Sequence, residues 1–321
     1  MKLGLTAILL LAAGHSLFAV EKQGVQAVFR STDRGRSWVR SDQGIPDSSR
    51  INAFASMGDS YFAGTDTGIY VSRDEAASWQ AIPGEAANSG RILSFAVLGT
   101  QIYAGTDRSG LLVSKDGGRT WIRHSSFPGT KVLSMLGDGG NLYAGTDEQG
   151  VLFSIDSGRT WTSLRNGLPD QPQIFALSAV NGRVFAGLYA KGLYAWNELQ
   201  QRWIRSGDVS PLVLTSAGGL LVAGHNPGGI LWSIDGGSRW AKSVAASGAA
   251  GRAGELTSNA PVWAMGSDQG MLLAGAADGI YRSEDGGRTW TRALQGLPPE
   301  SPGISFLITG RLILAGTIVE P

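Results

Sequence analysis

The chain has 321 residues, with 27 basic against 26 acidic side chains, a formal net charge of +1 and no cysteine. That balance supplies no field to draw nucleic acid, and the missing thiols exclude a disulfide framework, a lipoprotein attachment site and a thiolate metal site. Glycine at 47 residues beside 42% apolar content points to many tight turns around a large core, not to disorder.

In chain order, residues 1–19 read as a secretory signal peptide: Lys2 supplies the positive start, Leu3 to Ala13 the apolar stretch and Ala19 a small residue before the cut. Leu17 is larger than a cleavage site prefers, so an uncleaved anchor is the alternative, although the stretch is short for a membrane-spanning helix. The expected location is therefore outside the cytoplasm, periplasmic or extracellular, with membrane contact only if this segment is retained. Residues 20–321 form the folded domain.

That domain is built on one octet. Five copies keep a Ser-x-Asp-x-Gly core followed by Trp: Ser31 to Trp38, Ser114 to Trp121, Ser154 to Trp161, Ser233 to Trp240 and Ser283 to Trp290. Ser72 to Trp79 carries Ala76 at the Gly position, and Trp196 to Trp203 replaces Ser by Trp196 and Asp by Glu198. The spacing of these tryptophans is about 40 residues, the length of one four-stranded propeller blade. Asp accepts hydrogen bonds from main-chain amides a few residues on, Gly supplies a positive φ, and Trp opens the next strand with a ring to bury. Asp33, Asp74, Asp116, Asp156, Asp235 and Asp285 are accordingly structural, because a residue recurring at a fixed period is explained by architecture.

Each unit predicts four strands; in the third they are Ile92 to Leu98, Gln101 to Gly105, Leu111 to Ser114 and Thr120 to His124. No helical period appears after residue 20. The chain opens with the third and fourth strands of a blade, from Ala27 through Trp38, and closes with a first and second strand, Ile304 to Thr309 and Arg311 to Thr317. Pairing these halves gives an all-β, seven-bladed propeller of four-stranded antiparallel blades without open sheet edges at its seam. Gly44-Ile45-Pro46, Gly167-Leu168-Pro169 and Gly296-Leu297-Pro298 are blade-to-blade connectors, and the Gly/Ala-rich run from Ala245 to Thr257 is expected to be a mobile surface loop.

The octet resembles the Asp-box, or BNR repeat, of the sialidase-like propellers, and the likeness covers nearly the whole chain after residue 24. That superfamily also holds xyloglucan-degrading propellers, sortilin-type receptor domains and photosystem II assembly-factor propellers. The resemblance implies boxes on the outer rim, away from the ligand face. It implies no single activity. A sialidase would show an Arg-Ile-Pro signature, where this chain has Gly44-Ile45-Pro46, and a tyrosine nucleophile paired with Glu, whereas Glu198 falls on the side opposite Tyr189. Sialidases of this kind have six blades, and xyloglucan-degrading relatives set two propellers across a cleft.

Ligand residues are expected on the face opposite the octets, where the repeat is broken. Arg50, Arg91 and Lys131 stand at the start of the innermost strands of three successive blades; they form an anion site or pair with Asp66, Asp107 and Asp147 of their own blades. In the next two blades the usual Gly-Thr-Asp gives way to Tyr189, Lys191, His225 and Asn226, a set suited to a sugar or peptide. Asp66, Asp107, Asp147 and Asp278 line the same face, but they recur in step with the repeat and are assigned to Asx-type turns. With so few imidazoles and no thiol, no metal or cofactor is expected, though loop oxygens leave calcium open. The reading is an exported, non-catalytic module that binds a protein segment or cell-surface carbohydrate; the alternative is a glycoside hydrolase, which needs two carboxylates flanking the bond.

Overall fold

The ladders close a ring of seven antiparallel sheets. The structure is a computed structural model, and it describes residues 25–225, 228–246, 261–299 and 301–319. The expected signal segment lies outside them, as do Asn226 and most of the Ala245 to Thr257 run.

The first blade joins the two ends of the chain. Val25–Ser31 and Val39–Arg40 pair with Gly303–Ile308 and Ile313–Val319, in the order fourth, third, second, first. The seam runs antiparallel from Val25 opposite Val319 to Ser31 opposite Ile313. Blades two to six follow in order, and in the third blade the strands are Ile92–Leu98, Gln101–Thr106, Leu111–Ser114 and Ile122–Arg123. The seventh sheet has a fifth strand, Val244–Ala245, lying parallel to Thr289–Arg292. The run expected to be a loop thus begins as a strand, because Val244 and Ala246 donate their amides to the carbonyls of Arg288 and Trp290. The expectation of no helix is corrected by a single turn, Glu85–Asn88, in the connector between blades two and three.

Each octet is a hydrogen-bonded turn between third and fourth strands. Ser31 Oγ donates to Asp33 at 2.8 Å and accepts the Gly35 amide at 2.8 Å. Asp33 also accepts the amides of Arg36 and Ser37 and the Ser37 hydroxyl. The hydroxyl and amide of the residue four places on, with the Ser hydroxyl, hold the Asp33, Asp116 and Asp156 carboxyls well below their ordinary range. Asp74 is lowered to about 2, chiefly by the Ser78 hydroxyl, and in blade six the Arg239 side chain has that part at Asp235. Asp285 is lowered as well: burial opposes the shift, and bonds from Thr289 outweigh it. In blade five the turn is held differently, with Trp196 Nε1 donating to Glu198 at 2.6 Å and Asn197 accepting the Gln200 amide.

There is no single core. Seven apolar clusters lie between successive blades, each closed by one of the periodic tryptophans. Trp203 and Trp290 are 1% and 2% exposed. The indoles fall into two classes. Those of Trp121, Trp161, Trp240 and Trp290 donate within their own turns, to the carbonyls of Gly118, Gly158, Gly237 and Gly287. Those of Trp38, Trp79 and Trp203 instead reach the preceding blade, to the carbonyls of Ala293, Ser41 and Leu164. These three follow the Gly-Ile/Leu-Pro connectors, whose residues before Gly, namely Gln295, Gln43 and Asn166, accept the Trp amides. The connector phrase is a clamp on the next blade.

Candidate ligand face

All octet turns lie on one side of the ring, because each joins a third to a fourth strand. The opposite side carries the loops between second and third strands and the blade connectors, and the sequence-predicted ligand residues that the structure describes fall there. Arg91 Nε lies 3.0 Å from Asp107, whose side chain is 4% exposed, and Lys131 Nζ lies 3.8 Å from Asp147. Two of the three cations therefore pair within their own blades. Arg50 forms no ion pair among the described residues; Asp66 instead accepts the Arg50 main-chain amide at 2.9 Å. Asp107 accepts the Arg91 amide in the same way.

The Asx-turn assignment is thereby corrected for Asp66 and Asp107. The second-to-third loops are tied by Thr65, Thr106 and Thr146, whose hydroxyls donate to the carbonyls of Gly68, Gly110 and Gly150, while Asp66 and Asp107 fasten the start of the innermost strand. Burial raises the pKa of Asp147, and Lys131 partly offsets it. In blade seven, Asp278 accepts Tyr281 Oη and Arg292 Nη2, each at 2.7 Å; burial, then this carboxylate, pushes the Tyr281 phenol up to about 12.

The broken loops of blades five and six are placed as follows. Tyr189 sits in the loop after Arg183–Leu188, with its ring 5.7 Å from that of Phe175. Lys191 donates to the main-chain carbonyls of Asp170 and Gln171 and so fastens the connector from blade four. His225, expected in a loop, ends the strand Leu220–His225 opposite Pro211, so strand pairing fixes its backbone. Burial lowers the pKa of its imidazole, which keeps it neutral, and Nδ1 is buried without a hydrogen-bond partner among the described residues.

Sequence reasoning missed the most regular feature of this face. The innermost strand of every blade carries a β-bulge between its first and third residues. The residue left out of the ladder is Asn52, Leu93, Leu133, Phe175, Leu212, Trp263 or Ile304, and all seven are half-buried. A bulge bends a strand and re-aims a side chain. Here it recurs at one height, on the strand nearest the axis and at its end on this face. Six of the seven are large and apolar; the seventh, Asn52, has a buried amide nitrogen without a partner among the described residues. The signal lay in apolar doublets opening the strands, such as Ile92-Leu93, Val132-Leu133, Ile174-Phe175 and Val262-Trp263, which break period-two alternation. No group of His, Asp and Glu suited to hold a metal ion occurs among the described residues.

No protein-family model matches the chain, and no curated protein matches it. Solved structures do. A structure of YCF48 bound to a D1 peptide superposes with a TM-score of 0.64 at 16% identity, covering 87% of this chain and 94% of that one. The extracellular domain of the two-component system BT4673 from B. thetaiotaomicron gives 0.68 at 19% identity over 86% of this chain. The GH74 xyloglucanase from Xanthomonas campestris gives 0.64 at 16% identity over 90% of it. The chain spans 38% and 56% of the last two. At these identities the likeness is one of fold.

Proposed function

We propose that this propeller is an exported binding module that holds a polypeptide segment across the face opposite the octet turns. The observation that carries the reading is the ring of bulged residues around the axis, six of them apolar and half-exposed. Leu93, Leu133, Leu212 and Ile304 offer aliphatic surface that suits an apolar side chain better than a sugar ring, and Phe175 with Tyr189 and Trp263 add aromatic contacts. Arg50, without an ion pair among the described residues, borders the ring and favours a segment with an acidic residue nearby, beside the paired Arg91 and Lys131; Tyr189, Lys191 and His225 complete the proposed rim. YCF48, a propeller of the same fold, has been solved with a peptide bound. The apolar segment of residues 3–13 motivates the export reading.

A glycoside hydrolase is the second reading, and the observation in its favour is Asp147, whose raised pKa suits a general acid. Against it, Asp107 is engaged by Arg91, and Asp66 by the Arg50 amide.

Selection of a phage-displayed library of random linear peptides on the immobilised protein tests both readings. The expected outcome is enrichment of sequences with an apolar anchor, whose synthetic versions bind at least tenfold more weakly to Phe175→Ser and Trp263→Ser proteins (about 1.4 kcal/mol each). No enrichment, or binding indifferent to both substitutions, removes the proposal. Turnover of aryl glycosides that is lost in Asp147→Asn would establish the alternative.

A further inference from the structure

The octet face is not uniform. The residue between Ser and Asp tips each turn, and in blades one, two, three and seven it is Thr32, Arg73, Lys115 and Glu284. In blade four it is Ile155, 73% exposed, and in blade six Ile234, 66% exposed; in blade five the remodelled turn presents Leu199, 97% exposed. Three consecutive turns on one side of the ring thus project a bare aliphatic side chain. Single exposed apolar residues need no explanation, but an arc confined to neighbouring blades does.

An aromatic residue adjoins each of these turns in sequence and packs against an inter-blade cluster. Phe153 and Trp232 precede the Ser of their octets, and Trp196 replaces the Ser of its own; all three are half-buried. One side of each is supported from within: Phe153 stacks on Tyr143 at 4.8 Å, Trp196 meets Trp203 at 5.4 Å, and Arg288 lies 5.0 Å over Trp232. Blades one, two, three and seven have Arg30, Val71, Val113 and Arg282 before the Ser. Each of the three turns also bears an exposed arginine, Arg159, Arg202 or Arg239. Asp156 is occupied by its own turn, Asp235 by its turn and by the Arg239 guanidinium at 2.8 Å, and Glu198 by Trp196 and Gln201.

We propose that the octet turns of blades four to six dock on the surface of a lipid bilayer. Aliphatic tips enter the acyl boundary, the aromatic rings lie at headgroup level, and Arg159 and Arg202 meet phosphate groups, the layering that interfacial proteins show. A fluid surface suits discrete tips on separate turns; a protein partner would need complementary shape. The site lies opposite the proposed peptide face and does not depend on it.

The test is flotation of the full-length protein with phosphatidylcholine vesicles and with vesicles containing phosphatidylglycerol. It is read beside quenching of tryptophan fluorescence by brominated acyl chains. The expected result is binding and quenching, with partition reduced at least tenfold in the triple variant Ile155→Ser, Leu199→Ser, Ile234→Ser and unchanged in Phe175→Ser. Unchanged thermal unfolding of the triple variant excludes misfolding, since its three sites are exposed. Partition of the triple variant within twofold of the parent overturns the proposal, because the apolar segment at residues 3–13 would then account for all vesicle binding. Dimers that the triple substitution disperses, without vesicle quenching, overturn it in favour of an interface between copies of this chain.

Discussion

Gly44 and Trp79 meet across the seam between the first and second blades: a Cβ on Gly44 would fall 2.0 Å from the Trp79 carbonyl oxygen. Gly167 stands in the same relation to Trp203 and Gly296 to Trp38, at 2.2 and 2.1 Å. The approach lets the connector accept the Trp amide and present a carbonyl to the indole, so the glycine sets the distance between blades. Replacing Gly44 by Ala must separate the clamp or strain the main chain at φ +96°. The expected loss is about 2–4 kcal/mol, measured by the denaturant midpoint. Gly58→Ala is the control: its φ is also positive, but nothing lies within 4 Å, and it should cost only about 1 kcal/mol.

Asp116→Ala removes the acceptor for the amides of Arg119 and Thr120 and for two hydroxyls. Water reaches this turn and re-pairs part of what is lost, so the expected destabilisation is about 1–3 kcal/mol. Binding on the far face should be unchanged. A melting temperature equal to that of the parent would contradict the turn's role.

The same carboxylates set the response to acid. Their folded pKa values lie below the ordinary value of about 3.9, with Asp74 at about 2. On acidification the unfolded chain takes up protons first, so the stability these groups contribute is complete above about pH 5 and declines from there toward about pH 2. Equilibrium unfolding across that range should show the decline. Asp74→Asn should start from a lower stability at pH 7 and fall less steeply.

The ring depends on its seam. Ile313–Val319 contributes Ile313, Leu314, Ala315, Ile318 and Val319 to the buried set and pairs along the whole of Val25–Ser31. Deleting residues 313–321 should leave the first blade without its second strand and expose the third strand's edge. The expected outcome is loss of the cooperative thermal transition together with aggregation. A truncated protein that melts like the parent would show that the seam is dispensable.

What the sequence by itself determined is what hydrogen bonding over a few residues can encode. The octet turn closes on itself within eight positions, so Asp33 and its counterparts were legible as structural, and the Trp period with two half-blades at the ends counted the blades. What only the tertiary structure decided depends on partners distant in sequence or on register. The Arg91–Asp107 pair, the transfer of the loop bond from Asp66 to Thr65, and the Gly44 clamp each need a neighbouring strand to be in place. The ring from Asn52 to Ile304 arises because one unpaired residue in each innermost ladder changes which side chains leave the sheet, and alternation along a single strand does not reveal a slip against its partner. The tips at Ile155, Leu199 and Ile234 were visible as residues, but only closure of the ring brings three such turns side by side.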